Sequence, residues 1–251
     1  MEVFGLDIGG SGIKGAPVDL ETGELTRERI RIPTPQAPTS EAVVETSLEV
    51  IGRFGWDGPV GVGFPGVIKG GVVHTAANVA KELIGFDLQG RLQRELGNTV
   101  RVVNDADAAG LAEMRWGAGR GVEGTVMMMT LGTGIGTAFF TQGRLMANTE
   151  FGHIMIGKHE AELWASDRIR KQEDLSWKKW AKRLNEYLAT MEALFWPDLI
   201  VVGGGVSKKA DKFVPKLETR AEVVPAQMLN VAGIAGAALA PEAVPRAAMP
   251  R

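Results

Sequence analysis

Residues 6–15 read Leu6-Asp7-Ile8-Gly9-Gly10-Ser11-Gly12-Ile13-Lys14-Gly15, and residues 129–138 read Met129-Thr130-Leu131-Gly132-Thr133-Gly134-Ile135-Gly136-Thr137-Ala138. With one gap, the two stretches align as an apolar strand, a glycine loop and a second strand. The repetition indicates an internal duplication with one loop in each half of the chain. We therefore predict two α/β domains that face each other across a cleft.

A third glycine loop follows the apolar residues 199–202, so three loops come directly after predicted strands. Glycine allows tight turns and lets backbone N–H groups approach an anion closely. Each loop alone is more often a plain tight turn, but three together favour a ligand with several phosphate groups. The candidate phosphate- or nucleotide-binding residues are Gly9, Gly10, Ser11, Gly12, Gly132, Thr133, Gly134, Gly203, Gly204 and Gly205.

Two well-known nucleotide motifs do not account for these loops. Residues 61–66 fit the pattern G-x-G-x-x-G, but the residues that follow are strand-like. The dinucleotide fingerprint needs a helix to begin there, so we interpret the match as accidental. No G-x-x-x-x-G-K-[ST] sequence occurs in the chain, which excludes a P-loop.

Two aspartates stand at the ends of predicted strands. Asp7 precedes the first loop, where it can hold Mg²⁺ directly or through water, and Lys14 beyond the loop can neutralise phosphate. The alternative is an aspartate that caps its own turn and a solvated lysine. Asp105 follows Asn104 where a strand gives way to a helix. An aspartate there can cap the helix or act as a general base on a substrate hydroxyl.

The composition is that of an ordinary globular protein. Of 251 residues, 45% are hydrophobic and 23% charged, and 28 Lys and Arg against 30 Asp and Glu leave a net charge of -2. These figures exclude a disordered chain and a generally basic nucleic-acid-binding surface.

The chain has no cysteine, which excludes disulfides and suits a reducing compartment. We find no signal peptide, and we predict that the uncharged residues 223–241 form a buried helix rather than a membrane span. We expect a cytoplasmic protein that binds neither membrane nor nucleic acid.

Several short motifs occur in the order seen in one known family. They are Asp7-Ile8-Gly9-Gly10-Ser11-Gly12-Ile13-Lys14, Gly63-Phe64-Pro65-Gly66, Asn104-Asp105, Leu131-Gly132-Thr133-Gly134-Ile135-Gly136 and Glu150-Phe151-Gly152-His153. Over essentially its whole length the chain resembles the ROK family of sugar kinases. The resemblance implies a duplicated actin-like, ribonuclease-H-like α/β fold. We place the domains at residues 1–106 and 107–230, with a helix in residues 231–251 that packs back on the first domain.

The resemblance also implies roles for individual residues. Asp105 is then the catalytic base on the sugar 6-hydroxyl. The loops at residues 9–12 and 132–134 bind phosphate, and residues 203–205 approach the nucleoside of a bound nucleotide. The candidate sugar-binding residues are Asn78, Asn104, Asp105, Glu150, His153, Gly63 and Glu162.

The same resemblance bears on metals. It implies Mg²⁺ beside Asp7 as the cofactor of phosphoryl transfer. Many ROK members continue from their Glu-x-Gly-His motif into a cysteine-rich zinc motif. Because this chain has no cysteine, we expect no zinc there, and the loop after His153 must be held otherwise.

Basic residues concentrate in two segments of the second half. Residues 158–183 hold eight Lys or Arg against five Asp or Glu, residues 207–220 hold five against two, and the rest of the chain carries -8. A local basic surface on an acidic protein suits a long polyanion, although lysine runs are more often solvated helix faces. Within the ROK family the chain resembles the members that use inorganic polyphosphate. The candidate polyphosphate-binding residues are Lys178, Lys179, Lys182, Lys208, Lys209 and Lys212.

We therefore predict a homodimeric enzyme that transfers a terminal phosphoryl group from inorganic polyphosphate, and from ATP, to the 6-hydroxyl of glucose. The alternative is a strictly ATP-dependent hexokinase of the same fold, whose lysines are ordinary surface. A sugar-responsive repressor carries an N-terminal helix-turn-helix, for which we expect no room before the first loop. An actin-like filament or chaperone ATPase would not explain Glu150-Phe151-Gly152-His153.

Overall fold

The chain folds into two compact units. The structure, a computed structural model, describes residues 1–35, 39–76 and 81–243. The first unit comprises Met1–Ala112 with Val231–Arg251, and the second comprises Glu113–Asn230. The domain bounds drawn from the sequence stay a prediction.

The first unit contains a mixed five-stranded sheet and a separate two-stranded ribbon. Its strands are β1 (Glu2–Gly9), β2 (Gly12–Asp19), β3 (Ile30–Ile32), β4 (Val60–Phe64), β5 (Ile68–Lys69), β6 (Val72–Val73) and β7 (Val100–Asn104). The sheet order is β3-β2-β1-β4-β7, in which β1, β2 and β3 pair antiparallel and β4 and β7 continue parallel to β1. The ribbon β5–β6 follows β4, so no helix begins after residues 61–66 and the dinucleotide fingerprint is excluded as predicted.

Helix α1 (Ser40–Gly52) lies between β3 and β4, a 3₁₀ helix (Lys81–Leu83) and α2 (Leu88–Leu96) lie between β6 and β7, and α3 (Asp105–Trp116) follows β7. Local side chains set their ends. The Asp87 carboxylate accepts a hydrogen bond from the Gly90 amide (2.8 Å), which caps α2 at its start. Gly97 ends the same helix in the left-handed conformation, with φ of 67°, which glycine adopts without strain.

The second unit repeats the arrangement of the first. Its strands are β8 (Thr125–Leu131), β9 (Ile135–Thr141), β10 (Arg144–Met146), β11 (Met155–Ile156), β12 (His159–Glu160), β13 (Leu199–Gly203) and β14 (Glu222–Pro225). The sheet order is β10-β9-β8-β13-β14, again with three antiparallel strands followed by two parallel ones. The predicted internal duplication is therefore confirmed.

Helices of the second unit cover an aromatic core. They are α4 (Ala161–Ala165), α5 (Asp167–Gln172) and α6 (Trp177–Phe195), and a 3₁₀ helix spans Gly205–Lys212. Trp180, Tyr187 and Phe213 are fully buried, and the Trp180 and Phe213 rings pack edge to face with their centroids 4.9 Å apart.

The prediction of one buried helix over residues 223–241 was wrong. Strand β14 begins at Glu222, a 3₁₀ turn covers Leu229–Val231, and α7 occupies only Ala232–Ala243. Val223 and Val224 lie beside Ile200 and Val201 of β13, because β-branched side chains suit a parallel sheet. The buried carboxylate of Glu113 accepts hydrogen bonds from the amides of Gln227 (3.1 Å) and Met228 (2.7 Å) after this strand ends.

Helix α7 packs so closely on the first sheet that its backbone contacts the backbone of the strands. A Cβ on Gly61 of β4 would lie 1.7 Å from the Ala237 carbonyl oxygen, and one on Gly5 of β1 would lie 2.0 Å from that of Ile234. Ala237 and Ala240 are fully buried with Val103 and Ala108 in the same unit. Small residues on both elements are thus required for the contact.

No helix in the described parts of the chain combines the length and apolar character needed to cross a membrane.

We predict that Gly61→Ala destabilises the protein by about 3 kcal/mol or prevents folding, because the methyl group cannot coexist with the Ala237 carbonyl. Gly52→Ala is the control, since a Cβ there meets nothing within 4 Å and alanine favours the helix. Urea unfolding followed by circular dichroism measures both. Equal stability of the two variants would contradict this packing.

Candidate functional site

Four residues predicted from the sequence lie at the carboxyl edge of the first sheet: Asp7, Gly63, Asn104 and Asp105. The parallel strands β1, β4 and β7 end there, and their register pairs Asp7 with Gly63 and Phe64 with Asn104. Asp105 follows directly as the first residue of α3. Ligands of open α/β sheets bind beyond this edge, so the arrangement supports a functional site.

Asn104 is the residue that caps α3. Its Oδ1 accepts hydrogen bonds from the amides of Ala106 (2.8 Å) and Asp107 (3.1 Å), and its Nδ2 donates to the Gly66 carbonyl (3.2 Å). The side chain is buried at 5% exposure, whereas Asp105 is exposed. The capping role that the sequence allowed for Asp105 therefore belongs mainly to Asn104, although Asp105 Oδ1 also accepts from the Ala106 amide (2.8 Å).

The first glycine loop is a tight hairpin between β1 and β2. Gly9 pairs with Gly12, and Gly10 and Ser11 form the exposed turn. Arg31 donates a hydrogen bond to the Ser11 carbonyl, and a Cβ on Gly12 would lie 2.5 Å from the Arg31 Nε. A larger residue at position 12 would therefore require the Arg31 side chain to move. Sequence reasoning missed Arg31, which places a cation beside this loop.

Asp7 is already paired with a cation. Its Oδ2 lies 3.0 Å from Lys14 Nζ, and the two residues are cross-strand partners on β1 and β2. Asp7 supplies a hard carboxylate ligand of the kind that Mg²⁺ uses beside phosphate, and a water can link it to the ion while Lys14 keeps Oδ2. The donor chemistry therefore fits the predicted metal role, with Lys14 sharing the carboxylate.

The other two loops lie at the carboxyl edge of the second sheet. Residues 132–134 join β8 to β9, and Gly203 at the end of β13 lies beside Thr130 of β8. Gly204 has φ of 80°, and a Cβ there would lie 2.3 Å from the Leu131 carbonyl oxygen. Gly204 thus packs against the last residue of β8, directly before the second loop, and glycine is required at position 204 for both conformation and space.

Arg168 lies against the second loop and was missed as a site residue. Its Nε donates to the Thr133 carbonyl (2.9 Å), and its backbone amide donates to the Gly132 carbonyl (3.0 Å). The sequence showed it only as one charge of a basic segment. No local pattern predicts this contact, because 35 residues separate the two partners.

Glu150, His153 and Glu162 form a second group within the same unit, and Glu160 joins them. His153 Nε2 lies 3.8 Å from Glu150 Oε2, and His153 Nδ1 is hydrogen-bonded to Glu160 Oε1. Glu162 Oε2 accepts from the Ile135 amide (3.3 Å) beside the second loop. The structure therefore connects the group predicted to bind sugar with the second glycine loop, which is predicted to bind phosphate.

The surroundings raise the pKa values of His153 and Glu150. The hydrogen bond to Glu160 raises the pKa of His153 above its usual value, and the charges of Glu162, Glu160 and Glu150 add to the effect against partial burial. Burial raises the pKa of Glu150, which Glu162 reinforces and His153 opposes. Both residues thus favour their protonated forms more than they would in water.

The two lysine segments are adjacent on the second unit. Lys212 Nζ lies 5.9 Å from the ring of Trp177, which opens α6, and that ring stacks on Phe213 with centroids 6.0 Å apart. The six predicted lysines are all exposed. Trp180 is buried in the core, as expected, and Trp177 is half-buried between the segments.

Comparisons with known proteins agree with this geometry. The profile of the ROK family matches residues 3–163. A polyphosphate glucokinase of Mycobacterium tuberculosis is 52% identical over 238 residues, which cover 94% of this chain and 90% of that protein. The chain belongs to the ROK family.

Solved structures extend the comparison. An inorganic polyphosphate/ATP-glucomannokinase from Arthrobacter sp. strain KM is 49% identical, with a TM-score of 0.90, and the match covers 95% of this chain and 97% of that one. A ROK family glucokinase from Streptomyces griseus, in complex with glucose and AMPPNP, is 27% identical with a TM-score of 0.82, over 96% of this chain and 100% of that one. The predicted duplicated actin-like, ribonuclease-H-like α/β fold is confirmed.

The lack of cysteine does not by itself exclude zinc from this group. The absence of cysteine removes thiolate ligands, but ligand atoms of His153, Glu160 and Glu162 all lie within 4.8 Å of one another. Imidazole and carboxylate can bind zinc without cysteine. The absence of zinc from this ROK protein therefore stays a prediction, to be tested by its metal content.

Asn78, predicted to contact the sugar, lies outside the described residues. Gly63, predicted for the same role, is buried within β4, where it can offer only backbone atoms.

We predict that Asn104→Ala lowers the free energy of unfolding by about 1–2 kcal/mol, because the Asp107 amide loses its side-chain acceptor and the Gly66 carbonyl loses its donor, while the Ala106 amide keeps Asp105 Oδ1. Asn104→Asp keeps an acceptor at the helix N-terminus and should restore most of the loss. Thermal or urea unfolding of the two variants checks this. A stable Asn104→Ala protein that has lost only glucose binding would show that the cap is unimportant.

Proposed function

We propose that the protein transfers the terminal phosphoryl group of inorganic polyphosphate, and of ATP, to the 6-hydroxyl of glucose, which yields glucose 6-phosphate. The observation that carries the proposal is the likeness to the polyphosphate glucokinase and to the polyphosphate/ATP-glucomannokinase over nearly the whole chain. The exposed aspartate at a sheet edge, the three glycine loops and the basic surface each supply a part that this reaction needs.

Asp105 is the proposed general base. In the transfer, the sugar 6-oxygen forms a bond to the terminal phosphorus as the bridging P–O bond breaks, and the hydroxyl proton passes to the Asp105 carboxylate. Two features support this role. Asp105 begins α3 at the carboxyl edge of the first sheet, and the Ala106 amide holds its Oδ1. Asn104 fixes the helix start and so orients the carboxylate.

Glu150 and His153 are proposed to bind the sugar, together with Glu162. Carboxylates and an imidazole present acceptors and a donor to hydroxyl groups. The proposal gives phosphate binding to the loops at residues 9–12 and 132–134, assisted by Arg31 and Arg168. Asn78, Gly63 and residues 203–205 keep the roles expected from the sequence.

Mg²⁺ is the proposed cofactor, and it supplies charge neutralisation of the transferred phosphoryl group. Asp7 would hold it through water, beside Lys14.

We propose that the protein is a homodimer and that it is located in the cytoplasm. Absence of cysteine suits a reducing compartment.

Assays with Mg²⁺, glucose and either polyphosphate or ATP as sole donor test the proposal. Glucose 6-phosphate formed from polyphosphate supports it. Activity with ATP alone would instead indicate a strictly ATP-dependent hexokinase, and failure with both donors would refute glucose as acceptor.

We predict that Asp105→Asn lowers kcat by about three orders of magnitude or more, because the amide cannot take the hydroxyl proton. Glucose binding, measured by calorimetry, should change little. Asp87→Asn is a matched control, since Asp87 also stands at a helix start, where it caps α2 and lies 3.9 Å from Arg94, and the proposed mechanism gives it no role. Turnover of Asp105→Asn near the wild-type value would remove Asp105 from the mechanism.

We predict that replacing Lys178, Lys179 and Lys182 together by alanine raises the KM for polyphosphate roughly tenfold. The KM values for ATP and glucose should stay within about twofold, and the salt dependence of the polyphosphate KM should weaken. The triple Lys208, Lys209 and Lys212 should behave alike, since the two segments adjoin. Removing three exposed cations of the first unit, Lys69, Lys81 and Arg94, is the control. Equal effects of all three triples would mean that only net charge matters.

A further inference from the structure

The two ring nitrogens of His153 have different surroundings. Nδ1 is hydrogen-bonded to Glu160 Oε1. Nε2 lies 3.8 Å from Glu150 Oε2, which is too far for a hydrogen bond but close enough for one ligand hydroxyl to reach both atoms. The ring therefore has one side occupied by protein and one side available to a ligand.

The Glu160 side chain does not serve its own helix. Glu160 is the N-cap residue of α4, yet its carboxylate makes no capping hydrogen bond. Short side chains such as aspartate usually accept from the helix amides at this position, and the longer glutamate does not do so here. Glu160 pairs with Met155 across the β11–β12 hairpin. Its carboxylate instead contacts His153, which precedes β11.

Aromatic stacking anchors the strand that carries Glu160. The neighbouring His159 stacks on Trp164 with ring centroids 4.2 Å apart, and Arg183 of α6 covers the same indole, with Cζ 3.7 Å from the ring centroid. Trp164 Nε1 also donates to Glu186 Oε2 (3.1 Å). The hairpin is thus fixed on α4 and α6, so Glu160 approaches His153 from an anchored strand.

We propose that Glu160 is the positioning residue of the sugar site: its carboxylate keeps the proton of His153 on Nδ1 and so presents Nε2 to a glucose hydroxyl. The inference rests on the proposed function, because it concerns how that sugar site is built. In a histidine, the hydrogen bond made by one ring nitrogen determines the tautomer and the direction of the other. A neutral imidazole exposed to water prefers the opposite tautomer, with the proton on Nε2, so the effect is measurable.

The test uses Glu160→Ala and Glu160→Gln in the full-length protein. Glucose affinity is measured by calorimetry without donor, and steady-state kinetics give the KM values for glucose and for polyphosphate. We expect Glu160→Ala to weaken glucose binding about tenfold, with the KM for polyphosphate unchanged. Glu160→Gln retains an acceptor oxygen and should recover most of the affinity.

Nitrogen NMR reads the tautomer directly. The chain has only three histidines, so one variant at each position assigns the spectrum. At a pH where the imidazole is neutral, we expect the wild-type His153 to carry its proton on Nδ1. Glu160→Ala should move the proton to Nε2, a change that mere loosening of the hairpin does not predict.

His159→Ala is the matched control from the same hairpin. It removes the stack on Trp164 but leaves the carboxylate partner of His153 in place. We expect the Nδ1 tautomer to persist and glucose affinity to fall by less than in Glu160→Ala. An equal loss with the same tautomer in both variants would reduce Glu160 to a structural role and overturn the inference.

A bound metal is the competing explanation, because His153, Glu160 and Glu162 could share an ion. Metal analysis of the purified protein, and glucose affinity before and after a chelator, decide between them. Stoichiometric metal whose removal weakens glucose binding would overturn the inference. Wild-type glucose phosphorylation with unchanged affinity in Glu160→Ala would refute only the inference, whereas an inactive wild-type protein would refute the proposed function.

Discussion

The hydrogen-bond register between parallel strands is the constraint on which both units depend. In the first unit it aligns the ends of β1, β4 and β7, so that residues nearly 100 positions apart in the chain, such as Asp7 and Asn104, end at one edge. In the second unit the same pairing brings Gly203 beside Thr130. Two of the glycine loops close antiparallel hairpins, β1–β2 and β8–β9, whereas residues 203–205 follow the parallel strand β13. Slippage of one residue would exchange the two faces of a strand and remove the site residues from the edge.

The sequence predicts the parts of this architecture that depend on local patterns. Apolar strands followed by glycine loops are readable because neighbouring residues determine them. The error at residues 223–241 arose because an uncharged run rich in alanine has no helical or strand period of its own. Its first part became a strand only because β13 offers a parallel edge. Position in the tertiary fold decided the outcome.

Long-range contacts are the part that the sequence does not contain in readable form. Arg31 and Arg168 lie beside glycine loops, yet they are 20 and 35 residues away from their partners in the chain. The sequence did not indicate that the Asn104 amide is engaged by the backbone of α3 and by Gly66, and its predicted contact with the sugar stays a prediction. These contacts join residues that are far apart in the sequence, so they become visible only in the folded chain. The short motifs that contain the glycine loops and Asn104 can still be recognised in the sequence.

Charge is segregated within the second unit in a way that fits a neutral acceptor and an anionic donor. Glu150, Glu160 and Glu162 surround His153 and would repel phosphate, while neutral sugar hydroxyls can donate to them. The exposed lysines of α6 and of the 3₁₀ helix after β13 form a basic surface instead. Under the proposed function, the lysines bind the length of the polyanion, and only its terminal phosphoryl group approaches the carboxylates of the sugar site.

Helix α7 has a consequence for synthesis of the chain on the ribosome. The helix comes from residues 232–243, yet its backbone lies against Gly5 and Gly61 in the earliest strands to emerge. The second unit, by contrast, is one continuous segment, Glu113–Asn230. During translation the second unit can fold as soon as it leaves the ribosome, while β1 must wait with an uncovered apolar face until the last helix arrives. A nascent chain stalled before residue 232 would therefore carry a folded second unit joined to an incomplete, chaperone-accessible first sheet.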